Sequence, residues 1–155
     1  MKAVIIYGSH HHGNTEKVVK FLAEKFTLDM INAETVANAD LSNYDLVGFA
    51  SGIDFGKFYP AVTDYAARLH PGQALFAIYT CAKDNKKYGE QIRQIAEETG
   101  CRFLGKFGCK GYNTYGPWKL IGGMNKNHPD KEELANAEAF LERICSACRE
   151  FMVHI

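Results

Sequence analysis

The sequence predicts an α/β fold: a doubly wound, five-stranded parallel sheet with helices on both faces. Three observations carry that prediction. Short apolar runs alternate with segments of helical periodicity along the whole chain. The runs are continuous and not alternating, as strands buried on both faces require. The loops after the first and third runs are rich in glycine and small polar residues, and open α/β sheets hold ligands at the carboxyl ends of their strands.

The elements follow in order. Residues 3–7 form the first strand, ended by Gly8, and 13–26 a helix with Val18, Val19, Leu22 and Phe26 on one stripe. Residues 28–31 are a weaker second strand. Residues 46–50 are the third, closed by Ser51 and Gly52, so that 51–59 reads as a loop. Pro60 suits a first helical turn and predicts a short helix to Leu69, before His70-Pro71-Gly72 breaks the chain. The fourth strand spans 74–80. An amphipathic helix spans 88–99 with Gly100 as its C-cap, and the fifth strand spans 103–109. Asp130 reads as the N-cap of a last helix over 132–151, striped by Leu134, Ala137, Leu141, Ile144 and Cys148. Right-handed crossovers limit this arrangement to a few doubly wound orders.

With 155 residues, 46% of them hydrophobic and 23% charged, residues 1–155 are expected to form a single domain. Lys plus Arg balances Asp plus Glu at 18 each, which gives no support for nucleic-acid binding. No stretch approaches the length of a membrane span, and no secretory leader is evident. Five cysteines, an odd count, suit free thiols and a cytoplasmic location.

The strongest local signal is Gly8-Ser9-His10-His11-His12-Gly13-Asn14-Thr15, a strand end, a glycine-flanked loop and a helix N-terminus. Such a turn aims free backbone N–H groups and the positive helix end at one anion. Ser9, Asn14 and Thr15 add short polar side chains. The loop fits the triphosphate pattern GxxxxGK[ST] except that Asn14 replaces the lysine, and it lacks the glycine spacing of a dinucleotide loop. Three adjacent imidazoles do not converge on one ion, so no metal site is expected. At least one of His10, His11 and His12 is expected to contact the phosphate or close over it.

This loop resembles the S/T-x-T-G-N-T phosphate loop of flavodoxins, departing at His11 and His12. The resemblance to the flavodoxin family extends over nearly the whole chain, through the 51–59 and 80–88 loops. It implies sheet order 2-1-3-4-5, a three-layer sandwich, and non-covalently bound FMN. By the same resemblance, Ser51, Gly52, Ile53, Phe55, Gly56 and Phe58 would serve the flavin ring, with either Gly52 or Gly56 turning a peptide toward flavin N5. Phe55, Phe58 and Tyr59 are candidates for stacking, or for anchoring the loop to the core. Thr80, Cys81 and Ala82 correspond to the second ring loop, and Tyr88 to a stacking tyrosine. Lysines 83, 86 and 87 accompany a single Asp84, where the family is usually acidic.

The 111–129 segment is long for a strand-to-helix connection and holds the single Trp, two Tyr and four Gly. It is expected either to cover the end of the fifth strand or to form a lid or partner surface near the flavin. Cys145 and Cys148 have CxxC spacing but lie late in a helix, which favours a buried apolar role over redox chemistry. Function is expected to be electron transfer to redox partner proteins or a small electron acceptor. The alternative is an FMN-dependent reductase of a quinone or similar molecule, with the 112–118 segment in its pocket. A non-redox domain would bind no flavin.

Overall fold

The computed structural model describes residues 1–154. Its sheet is built from β1 (Ala3–Gly8), β2 (Asp29–Asn32), β3 (Leu46–Asp54), β4 (Lys57–Phe58), β5 (Ala74–Cys81) and β6 (Arg102–Lys110). The long strands are parallel in the order β2-β1-β3-β5-β6, and β4 pairs antiparallel with β3 alone. With that two-residue strand set aside, the order is the expected 2-1-3-4-5. Helices α1 (Asn14–Lys25), α2 (Pro60–Thr63), α3 (Glu90–Thr99) and α4 (Lys131–Val153) cover its faces.

Strand alternation divides the core in two. Ile5, Tyr7, Phe76 and Ile78 pack with Val18, Leu22, Leu141, Ile144 and Cys148 under α1 and α4. Val4, Ile6, Phe49, Leu75 and Ala77 pack with Val62, Tyr65, Ile92 and Ala96 under α2 and α3. Because both faces are covered, β1 and β5 are buried at every position and are apolar but for Thr80 at the end of β5, whose hydroxyl is paired. Each large side chain so buried contributes roughly 1.5–3 kcal/mol. The Phe76 ring lies over Gly48, where a Cβ would meet it at 2.3 Å.

Two expectations are corrected. Residues 51–59 are not a loop: β3 runs on to Asp54 and returns through Phe55-Gly56 into β4, with Ile53 opposite Phe58 and Asp54 opposite Lys57. Phe55 (φ 48°) and Gly56 (φ 79°) both take positive φ, as a two-residue hairpin turn of type I′ requires. The helix expected over 60–69 is an α-helical turn, Pro60–Thr63, continued as a 3₁₀ segment, Asp64–Arg68. Leu69 is already extended (ψ 151°), and Pro71 disfavours helix at the residue before it, His70. The other elements differ from expectation by a few residues at their ends. No helix among the described residues is long and apolar enough to cross a membrane.

Candidate functional site

The carboxyl ends of β1, β3, β5 and β6 bring four segments to one edge of the sheet, where they enclose a cavity of about 480 Å³. A larger groove of about 630 Å³ lies toward the opposite edge, by Met1, Phe26 and Val153, away from the loops of interest.

The first wall is the loop after β1. Asn14 N–H donates to His11 O and Glu16 N–H to Ser9 Oγ, but no protein acceptor meets the N–H groups of His11, His12, Gly13 and Thr15 among the described residues. Four free donors at the start of α1 are the kind of arrangement that suits an anion. The side chains are spoken for. Thr15 Oγ1 lies 2.9 Å from Thr80 Oγ1, buried, which ties this loop to the end of β5. Asn14 Nδ2 donates to Tyr112 O at 2.8 Å, and its Oδ1 accepts from Tyr112 N–H at 3.1 Å. Asn14 therefore clamps the segment after β6 instead of presenting its amide to the anion.

The three histidines separate. His10 stacks on Tyr59 (centroids 4.0 Å apart, planes 6°) and pairs with Glu34. His10 and His11 both line the cavity. His12, at φ 55°, turns away to Thr114 Oγ1 at 3.0 Å and packs on the Tyr112 ring.

The second wall is the β3–β4 hairpin. Gly52, Ile53, Asp54, Phe55 and Tyr59 line the cavity. Ser51 is buried and braces the hairpin, its Oγ accepting from Tyr59 N–H and donating to Gly52 O. Phe58 is buried in the core and anchors the hairpin, whereas Phe55 stands 94% exposed at its tip. Gly52 faces the Tyr59 hydroxyl so closely that a Cβ would stand 2.2 Å from it. Gly56 has open space around it. Burial pushes the Tyr59 hydroxyl above its ordinary value, with the nearby charges of Asp54 and Glu34 adding to the rise.

The third wall, after β5, contributes Thr80 and Cys81. Burial pushes the Cys81 thiol up to about 12, with Asp84 and Glu133 adding to the rise, so it is neutral at physiological pH. Ala82 lies outside the cavity wall, and its carbonyl accepts from Asn125 Nδ2 at 2.8 Å. Tyr88 also lies outside it, set edge-on against Tyr79.

The fourth wall is Gly111, Tyr112, Asn113 and Tyr115, none of which the sequence assigned to cofactor binding. Its length and aromatic content had offered a cover, a lid or, in the reductase alternative, part of the pocket. The segment is fixed at both ends. Asn14 and His12 hold its start. At its end His128 Nδ1 and Asp130 N–H meet Glu133 Oε2 at 2.7 and 2.9 Å, within the capping box of α4. Between them a 3₁₀ turn, Gly116–Ile121, projects outward. His128, Asp130 and Glu133 are the one cluster among the described residues with metal-ligand spacing, and the capping contacts already use their donors and acceptors.

The cavity thus joins a helix terminus with unpaired N–H groups to aromatic walls. A monophosphate on a flat heterocycle fits it: free N–H groups for the phosphate, and Tyr59, Phe55, Tyr112 and Tyr115 around the ring space.

The flavodoxin domain model matches residues 4–115. An uncharacterised protein of Methanocaldococcus jannaschii is 37% identical over 147 residues, covering 93% of this chain and 98% of its own length. Among solved structures, oxidised flavodoxin 1 from Bacillus cereus superposes with TM-score 0.69 at 17% identity, covering 94% of this chain and 98% of that one. Rubredoxin oxygen:oxidoreductase from Desulfovibrio gigas gives TM-score 0.75 at 14% identity over 97% of this chain, which spans only 37% of that larger protein.

Proposed function

The chain belongs to the flavodoxin family, and from that premise we propose that it is a single-domain protein that binds FMN and passes electrons between it and a redox partner. The observation that carries this reading is the set of four acceptor-free N–H groups at the start of α1, of which His11 and Thr15 belong to residues that line the aromatic cavity and His12 and Gly13 lie between them in the chain. FMN, when bound, supplies the one- and two-electron chemistry. The chain's part is to hold and shield it. The N–H groups of His11, His12, Gly13 and Thr15 would bind the phosphate, with His10 and His11 beside it. The backbone of Gly52–Asp54 and Thr80–Cys81 would meet the polar edge of the ring. Tyr59 and the 112–115 segment would exclude water from its faces. No catalytic residue is assigned. The free thiols of all five cysteines suit a cytoplasmic setting.

A second reading, an FMN-dependent reductase of a quinone or another small acceptor, is favoured by Tyr112 and Tyr115 lining the cavity. The visible spectrum of the purified protein tests the cofactor: a flavin spectrum supports the reading, and a protein that takes up no flavin refutes it. Rapid NAD(P)H-dependent quinone turnover would move the assignment to the reductase.

A further inference from the structure

We propose that the face around the cavity mouth docks a small, strongly acidic electron-transfer protein. This rests on the flavin reading above and names the partner's chemistry.

The segments after β3, β5 and β6 share one edge of the sheet, because their strands are parallel. Residues 51–59, 80–88 and 110–129 carry seven lysines, Lys83, Lys86, Lys87 and Lys119 among them, against two carboxylates, Asp54 and Asp84. All seven lysines are exposed. Asp84 is partly drawn in, accepting from the Tyr79 hydroxyl at 2.7 Å. Contacts hold these loops together: Asn125 binds Ala82, Gly111 N–H binds Cys81 O, and Lys106 pins the carbonyls of Lys86 and Tyr88.

The same segments also carry exposed apolar side chains. Phe55 is 94% exposed and Leu120 89%, with Tyr115 and Ile121 close behind. These are four of the five most exposed large apolar side chains among the described residues. Phe55 and Tyr115 stand at the cavity itself. An apolar centre with a charged rim is the anatomy of a protein interface.

The sign of the rim selects the partner. The chain as a whole balances 18 positive against 18 negative residues, so a lysine excess here leaves the rest of the surface net negative. An acidic protein is repelled elsewhere and steered to this face, and a basic one is steered away from it. On docking, one electron leaves the partner's reduced iron–sulfur cluster, which is oxidised. It enters the flavin, which is reduced and takes any proton from water.

The test uses flavin-loaded protein in rapid mixing. Reduced acidic [4Fe–4S] ferredoxin is mixed with it, and the reduced flavoprotein is mixed separately with oxidised basic c-type cytochrome. The ferredoxin rate is expected to fall at least about tenfold between low and high salt, and the cytochrome rate to rise or stay level. Replacing Lys86, Lys87, Lys119 and Lys126 together by Glu is expected to cut the low-salt ferredoxin rate by about tenfold or more. The Gln series should fall between. Lys25→Glu with Arg149→Glu, on other parts of the surface, should change it less than about twofold. A salt-independent ferredoxin rate, or a cytochrome reaction that is faster and weakened by salt, overturns the proposal. So does self-association abolished by the lysine substitutions, which would assign the face to a second copy. Retention on phosphatidylserine vesicles without a ferredoxin effect overturns it too, in favour of a lipid surface. Calorimetric titration with oxidised ferredoxin reads docking without flavin, so a protein that fails to hold flavin is distinguished from one that fails to dock.

Discussion

Asn14 occupies the position where triphosphate loops carry lysine, and it meets protein instead of ligand. Its amide takes both the N–H and the C=O of Tyr112, 98 residues away. The loop and helix start after Gly8 were legible, because turn residues and a helix N-terminus are local features. The clamp was not legible, since nothing near Asn14 names a partner that far along the chain. Two hydrogen bonds of about 1 kcal/mol each hold the cavity's fourth wall. Asn14→Ala is therefore expected to weaken FMN binding about tenfold, measured by quenching of flavin fluorescence. The buried thiols behave as a second residue-scale device. Cys109, like Cys81, is pushed up to about 12, chiefly by burial, from an ordinary value of 9.0. A thiol held neutral in the fold binds its proton more tightly there than in the unfolded chain. Its stabilisation is complete below about pH 9 and is lost as pH rises toward 12. Urea midpoints should fall between pH 8 and 11, and the fall should be shallower in Cys109→Ala.

At the scale of elements, the helices and buried strands were legible and the 51–59 hairpin was not. Apolar periodicity fixes where β1, β3 and β5 begin, but a turn of Phe55 and Gly56 lacks the Asn-Gly or Asp-Gly pair that marks type I′ hairpins. Gly56→Ala should destabilise the hairpin by roughly 1 kcal/mol, through positive φ alone, since no neighbour lies within 4 Å of the added methyl group. Thermal melts check this. The N-terminus of α4 was legible from Asp130, Glu132 and Glu133, but the reach of its capping box was not. Glu133 Oε1 also accepts from Lys110 N–H, joining α4 to the end of β6. Asp130→Ala should cost about 1 kcal/mol, as loss of an N-cap does. Glu133→Ala should cost more and should also loosen FMN binding, because it frees His128 at the end of the 111–129 segment.

At the scale of the molecule, the doubly wound sheet follows from the sequence because β1, β5 and most of β3 are buried on two faces, and helical segments join three of the four pairs of successive parallel strands. Close approach at Gly48 fixes how β3 passes beneath Phe76. Gly48→Ala is expected to destabilise the fold by roughly 1–3 kcal/mol, seen as a lower urea midpoint with unchanged slope. The lysine-rich edge around the cavity bears on redox behaviour as well. A less acidic surround opposes the reduced, anionic flavin less, so its second potential should be less depressed than in strongly acidic flavodoxins. A spectroelectrochemical titration giving a very low second potential would contradict that. In the proposed function this cavity holds a flavin by its monophosphate, on the free N–H groups of His11, His12, Gly13 and Thr15. Parallel titrations of the flavin-free protein with FMN and with riboflavin test it most directly. FMN is expected to saturate at one equivalent with its fluorescence quenched, and riboflavin to bind at least about tenfold more weakly. Equal affinity for the two, or no quenching by either, would contradict it.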